Sequence, residues 1–405
     1  MEDLNQIKDK VILHSDVNNF FASVECSLKP ELKGKAVAVA GNPLKRTGII
    51  LAKNEIAKKM GVKTGQVIGE AMALCPDLIC LPPHFDLYEK ISQELIQLYL
   101  GYTNFVEPLG MDECWLDITG CEQYLHKSGK EIADEIREKI KQKFNFTVSI
   151  GVSFSKIFAK LGSDLKKPDY TTVIDYDNYK NITYKLPLNS IIGIGRKLEK
   201  KFSSIDVKTI GDFVKLDDNF IHNTMGKNGK ELKDNLMGLS SPPVMDYYKM
   251  PAPKSIGNGT TTAEDIVSRD EIKKVISFLT ELISKRLINH EVFANTISIT
   301  IKNSNLKTFH KSIKISPTNS LKELTNEALK LADSIWNYNT PVRAIRINTS
   351  SFSSANIKQL SLFDTPKKDI SNVMNNISNK YGKIELASDY ETFLNKSGHF
   401  HKNKS

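Results

Sequence analysis

The stretch Gly110-Met111-Asp112-Glu113-Cys114-Trp115-Leu116-Asp117 constrains this chain more than any other. The flanking runs Phe105–Leu109 and Cys114–Ile118 can each form a short strand, with Gly110 and the acidic pair as the tight connection. Two carboxylates side by side on a rigid hairpin tip repel one another and serve poorly as structure. They call for a positive partner, and a divalent metal ion is the obvious candidate.

Composition sets the outer bounds. At 405 residues the chain has room for two to four domains of roughly 150 residues each. Its formal charge of +9 and pI near 9.0 suit a polyanionic partner, although an ordinary lysine-rich surface gives the same figures. The five cysteines, Cys26, Cys75, Cys80, Cys114 and Cys121, form no CxxC pair, so they read as reduced thiols and not as a zinc site. Met1 is followed by polar residues, and no apolar run approaches the about 18 residues of a membrane span. The expectation is a soluble, cytoplasmic protein without membrane association.

Val11–Val17 is a buried-strand run that ends in Asp16, followed by Asn18-Asn19 and a helical stretch from Phe20 to Glu25. Asp16 stands where chemistry often sits in α/β sheets, but a helix-capping role fits it equally. Strands at Ala36–Ala40 and Ile49–Ala52 flank a basic turn containing Lys45 and Arg46, and a short helix runs from Asn54 to Met60. Helices are expected over Asp86–Tyr102, Lys127–Lys143 and Ser153–Pro168, with a strand at Thr147–Val152. Leu186–Lys197 reads as a helix-hairpin-helix. Its Gly193-Ile194-Gly195 turn opens a helix at Arg196-Lys197 whose backbone N–H groups can meet a phosphate. Proline-rich residues 241–253 read as an extended linker. Residues 254–353 then follow a β-α-β-β-α-β order, with Thr, Ser, Asn and Lys on one strand face. That face suits a nucleic-acid backbone or plain solvent. Beyond Ser353 the chain turns polar, but it contains Gln359-Leu360-Ser361-Leu362-Phe363, which is either a docking peptide or a segment packing back on the body.

If the first strand lies beside the 105–118 hairpin, Asp16, Asp112 and Glu113 converge. Three carboxylates with open positions suit Mg²⁺, which accepts oxygen ligands and keeps room for water and phosphates. Two such ions can clamp an in-line phosphoryl transfer. Pattern alone therefore reaches a metal-dependent nucleotidyl or phosphoryl transferase acting on nucleic acid.

At these residues the chain resembles a known family. The segments Val11–Glu25, Gly110–Asp117 and Ser149–Pro168 are similar to the motifs of Y-family translesion DNA polymerases of the bacterial DNA polymerase IV type. The resemblance implies an α+β multidomain right hand. Its palm, with a mixed sheet plus helices, takes residues 1–25 and 80–170, the small fingers 26–79, and the helical thumb with its helix-hairpin-helix 171–240. A linker covers 241–253, the β-α-β-β-α-β little finger 254–353, and a tail with a clamp-binding peptide 354–405. It implies template-directed, low-fidelity synthesis with two Mg²⁺ ions, and no proofreading. Asp16, Asp112 and Glu113 match the metal-binding carboxylates, with the Val17 carbonyl on the second ion. Phe21 falls at the steric gate that excludes a 2′-hydroxyl, whereas its composition alone would put it in a core beside Phe20. Lys167 matches a triphosphate contact; Gly193, Gly195, Arg196 and Lys197 match the grip on the primer backbone; Gln359, Leu360, Leu362 and Phe363 match the sliding-clamp peptide. Expected partners are primer–template DNA, dNTP and the clamp, with the chain a monomer.

Two departures from the family pattern stand out. The fingers helix lacks the family's tyrosine, and Lys58 stands near the place of its arginine, so Lys45, Arg46 and Lys58 are the candidates for gripping the triphosphate. Met111 replaces the small polar residue that usually precedes the acidic pair. The competing functional reading is a catalytically silent adaptor binding DNA and clamp, which the three retained carboxylates disfavour. A nucleotide cyclase with a similar palm is disfavoured by the thumb-like hairpin and the basic C-terminal region.

Overall fold

The structure, a computed structural model, describes residues 7–41, 48–336 and 339–354. Its contacts define two compact units, one holding Ile49–Met250 with the described residues up to Ala40, the other holding those from Pro251 onward.

In the first unit, β1 (Ile12–Val17) is buried along its whole length. Asn19 adopts the left-handed conformation that asparagine tolerates and turns the chain into α1 (Phe20–Leu28). A small lobe follows with β2 (Val37–Ala40), β3 (Ile50–Lys53), α2 (Glu55–Lys59), α3 (Ile68–Leu74) and β4 (Ile79–Leu81). Its strands pair in the order β3-β2-β4, and alanines 36, 38, 40, 57 and 71 keep its core thin. Next come α4 (Phe85–Leu100), β5 (Val106–Pro108), β6 (Glu113–Asp117), α5 (Cys121–Leu125), α6 (Gly129–Phe144), β7 (Val148–Ser153), α7 (Lys156–Leu165) and β8 (Thr171–Ile174). The larger sheet runs β5-β6-β1-β7-β8, with β1 antiparallel to both neighbours and β8 parallel to β7.

Period-two alternation gives β1 two faces with different fates. Leu13 and Val17 enter the main core with Leu95 and Tyr99 of α4 and Ile132 and Ile136 of α6. Ile12, His14 and Asp16 point to the other face, where α7 lies: Ile12 packs on Ala159, His14 meets Ser163, and Asp16 meets Lys160. The helix can come this close because β7 carries Gly151 beneath it. A Cβ at Gly151 would sit 1.9 Å from the Ala159 carbonyl oxygen and 2.6 Å from the Ser163 nitrogen.

Helices α8 (Tyr179–Thr183), α9 (Arg196–Ser203), α10 (Ile210–Val214), α11 (Asp218–Met225) and α12 (Lys227–Leu236) complete this unit around Phe202, Phe213, Ile221 and Leu236. Two segments differ from the sequence reading. Residues 171–174, grouped there with the thumb, are strand β8 of the large sheet, because their apolar face finds β7. The stretch read as a free linker is fastened before it leaves the unit. Ser241 and Val244 are buried, Val244 packs on Ile12 and Trp115, and the Met245 N–H donates to Glu107 Oε2 at 3.0 Å.

The second unit comprises β9 (Ser255–Ile266), α13 (Arg269–Asn289), β10 (Val292–Asn303), β11 (Thr308–Thr318), α14 (Leu321–Ile335) and β12 (Val342–Ser354), the expected β-α-β-β-α-β order. All pairings are antiparallel, in the order β11-β10-β12-β9. Ile297, Ile299, Ile301, Ile345 and Ile347 face the two helices. The opposite face carries Thr296, Ser298, Thr300, Lys302, Asn348 and Arg346, all less buried.

Replacing Gly151 by Ala should force α7 off the sheet. The expected cost is about 3 kcal/mol, the upper range for overpacking a tight contact, read as a lower thermal midpoint of the first unit.

Candidate active site

The antiparallel register sets Asp16, at the C-terminal end of β1, directly opposite Glu113, at the start of β6. Asp112 adjoins them in the turn, where its carbonyl accepts from the Val17 N–H at 2.9 Å. Gly110 opens that turn with a φ of +93°, a left-handed geometry suited to glycine. The turn sits one residue earlier than the sequence suggested, at 109–112, so Glu113 is already a strand residue and Asp112 is the member of the acidic pair that lies in the turn.

Two lysines of the α7 region neutralise the cluster. Lys160 Nζ lies 2.9 Å from Glu113, 3.3 Å from Asp16 and 3.3 Å from Asp164. Lys167 Nζ lies 2.7 Å from Asp16 and 2.9 Å from Asp164. Lys167 was expected near the site; Lys160 was not singled out. The available signal was the Lys160–Asp164 spacing of four, which puts these two side chains on one face of α7; Lys167 follows just beyond the helix end at Leu165.

Behind Glu113 stands the fully buried His14. Its Nδ1 is 2.9 Å from Ser163 Oγ, whose own proton goes to the Lys160 carbonyl at 2.8 Å, so Nδ1 is the donor. Its Nε2 ends 3.5 Å from Glu113 Oε2, and its ring meets Trp115 edge-on at 5.1 Å. Burial lowers the imidazole's affinity for a proton.

The three acids titrate apart. Burial, with the charges of Asp16 and Glu113 added, pushes Asp112 up to about 6. Burial opposes ionisation of Glu113 too, but Lys160 at 2.9 Å works against it and holds the group below its usual range. Burial raises Asp16 against the pull of Lys167 and Lys160. Both lysines are held more firmly protonated by these carboxylates, against the effect of burial.

Among the described residues, no three Asp, Glu, His or Cys side chains gather closely enough to ligate one ion. Two ammonium groups stand among the three carboxylates, which is where a cation is required. The donors themselves are anionic oxygens, a hard set that fits Mg²⁺ and leaves positions for water and phosphate.

Phe21 and its neighbour part ways. Phe20 is buried in the main core, whereas Phe21 is half-buried and stacked on Tyr88, centroids 4.5 Å apart at 18°. The turn before α9 has Gly193 at φ +94°, Gly195 as N-cap without a side-chain cap, and Arg196 and Lys197 exposed. Lys58 does not reach the carboxylates. It pairs with Glu55 at 3.3 Å, and Glu55 also accepts from Asn19 at 2.8 Å. Met111 packs against the main core beside the hairpin. Lys45, Arg46, Gln359, Leu360, Leu362 and Phe363 lie outside the described residues.

Residues 15–164 match the impB/mucB/samB family and residues 253–362 its C-terminal domain. DNA polymerase IV of Acetivibrio thermocellus is 39% identical over 356 residues, covering 87% of this chain and 89% of that one. The chain belongs to the Y-family DNA polymerases. DNA polymerase IV 1 of Bacillus subtilis is 33% identical over 382 residues, 93% of this chain and 91% of its own. In fold, the polymerase resembles a solved Y-family DNA polymerase chimera with a TM-score of 0.74 at 24% identity, over 85% of this chain and 99% of that one. It is thus a DNA-directed, translesion-type DNA polymerase with DNA and nucleotides as substrates. Among the described residues no helix is long and apolar enough to cross a membrane.

The shift at Asp112 has a measurable sign. In the unfolded chain this carboxyl ionises near 3.8, in the fold near about 6, so through this group stability falls as pH rises across that interval. Asp112→Asn should therefore raise stability above pH 7 by at most about 3 kcal/mol in metal-free buffer. The gain should vanish below about pH 4, where the native group is protonated in both states. Thermal melts at the two pH values check it.

Proposed function

We propose that the polymerase extends a primer 3′ end by two-metal nucleotidyl transfer at Asp16, Asp112 and Glu113. The observation that carries this reading is the register of Asp16 against Glu113 beside Asp112, with Lys160 and Lys167 balancing the charge. Asp16, Asp112, Glu113 and the Val17 carbonyl would hold two Mg²⁺ ions. When bound, Mg²⁺ activates the primer hydroxyl and offsets charge on the transferring phosphate.

The chain's own groups do the rest. Lys167, with its ammonium already at the carboxylates, is suited to hold the triphosphate, and Lys58, Lys45 and Arg46 remain candidates for its outer phosphates. Phe21 presents its ring to the sugar and leaves no room for a 2′-hydroxyl. The N–H groups at Gly193–Lys197 take a backbone phosphate of the primer strand, with Arg196 and Lys197 adding charge. The open sheet face of the second unit, with Lys302 and Arg346 among small hydroxyl residues, suits the phosphate backbone without reading bases. We assign residues 1–25 and 80–174 to the palm, 26–79 to the fingers, 175–240 to the thumb and 254–353 to the little finger. Gln359, Leu360, Leu362 and Phe363 are proposed to dock on a sliding clamp. Synthesis is proposed to be of low fidelity and without proofreading.

Primer extension with dNTPs tests the core of this reading. Mg²⁺ should support it and a chelator should stop it, while Asp112→Asn with Glu113→Gln should reduce it by more than about a thousandfold. Full extension by that double variant would refute the assignment. Leu362→Ala with Phe363→Ala should abolish clamp-stimulated synthesis and leave unassisted synthesis intact; equal stimulation would remove the docking role.

A further inference from the structure

Glu25 lies on α1, one turn beyond Phe21, and the residue is 1% exposed. A carboxylate this deep must be supplied with donors or it would not stay ionised. It has three. The Tyr88 hydroxyl donates to Oε1 at 2.7 Å, His84 Nδ1 lies 2.6 Å from the same oxygen, and Lys29 Nζ donates to Oε2 at 3.1 Å. Burial works against the charge, but these groups outweigh it and hold the carboxyl below its ordinary range.

Two of the donors come from the start of α4. His84 is the N-cap position of that helix, yet its side chain makes no cap bond and turns to Glu25. Tyr88 is fully buried, with its hydroxyl on Glu25 and its ring face under Phe21. Phe85 meets Phe21 edge-on at 5.9 Å and 85°, and meets Tyr88 at 6.0 Å and 80°. Phe20 closes the inner side of Phe21 at 5.5 Å. The ring of Phe21 thus lies on Tyr88, whose own ring is packed by Phe20 and Phe85 and whose hydroxyl is tied to the buried Glu25.

We propose that Glu25 is a positioning residue for sugar selection: by holding the Tyr88 hydroxyl it fixes the plane of the Phe21 ring against the incoming nucleotide. The inference rests on the reading of Phe21 as the group that excludes a 2′-hydroxyl. A stacked pair free to slide would give way to an extra oxygen, and an anchored one does not. The anchor acts at a distance from the reacting atoms, so its loss should alter selectivity more than turnover of the correct nucleotide.

The test is single-nucleotide insertion on a primed template by the full chain with Mg²⁺, read as the ratio of kcat/KM for dNTP to that for the matching rNTP. Phe21→Ala should lower this ratio by about a hundredfold, the scale of a steric rejection. Tyr88→Phe keeps the ring and loses only the hydroxyl; Glu25→Met loses the acceptor. Each should lower the ratio by about three- to tenfold, chiefly through faster rNTP insertion. The double variant should fall no further than either single one, because both changes cut the same link. If Phe21→Ala lowers the ratio but Tyr88→Phe leaves it within about twofold, the anchor is refuted and the gate stands. If dNTP and rNTP insertion fall together in Tyr88→Phe, the contact is structural only and the proposal is overturned. If Phe21→Ala leaves the ratio unchanged, the gate reading and the anchor fall together. Should Glu25→Met fail to fold, Tyr88→Phe alone decides between these outcomes.

Discussion

Everything at the site depends on one strand pairing. Antiparallel register of β1 with β6 puts Asp16 opposite Glu113 and leaves Asp112 beside them at the turn. Opposed like charges in a sheet are unfavourable, and burial makes them more so. The protein answers with Lys160 and Lys167, brought in by α7. They reach because Gly151 lets the helix lie almost backbone to backbone on β7. A glycine on a strand, a lysine on a helix and two acids on different strands are thus one electrostatic unit.

That unit is poised and not relaxed. Asp112 is pushed up and Glu113 held down, although they are adjacent in the chain, because Lys160 pairs directly with Glu113. The charge on Asp112 is one the fold alone would be more stable without.

Outside the carboxylates, burial divides single elements by face. The inner side of α1 gives Phe20 to the core, and the next residue, Phe21, is left half-exposed on Tyr88. The second unit repeats the division on its sheet, with isoleucines to the helices and hydroxyl or basic side chains to the open face. In both places neighbouring residues of one element are divided between the core and a less buried face.

Much of this was legible in the chain itself. The strand runs, the helix from Arg196 opened by Gly195, and the β-α-β-β-α-β order of the second unit follow from local periodicity and glycine punctuation, which act over a few residues. The chemistry class followed from the types of three residues, Asp16, Asp112 and Glu113. What remained hidden needed contacts between distant residues. Lys160 looked like any helix lysine until α7 closed on Gly151; residues 171–174 looked like the start of a helical region until β7 offered an edge; residues 241–245 looked like a linker until Glu107 and Trp115 received them. Lys58, promising by position, pairs with Glu55 away from the acids. The sequence by itself determined which residues could bind a metal and which elements would carry them. Only the tertiary structure decided that Asp16 and Glu113 face each other with two lysines between the acids, because register and close approach are properties of pairs of segments, which no local pattern specifies.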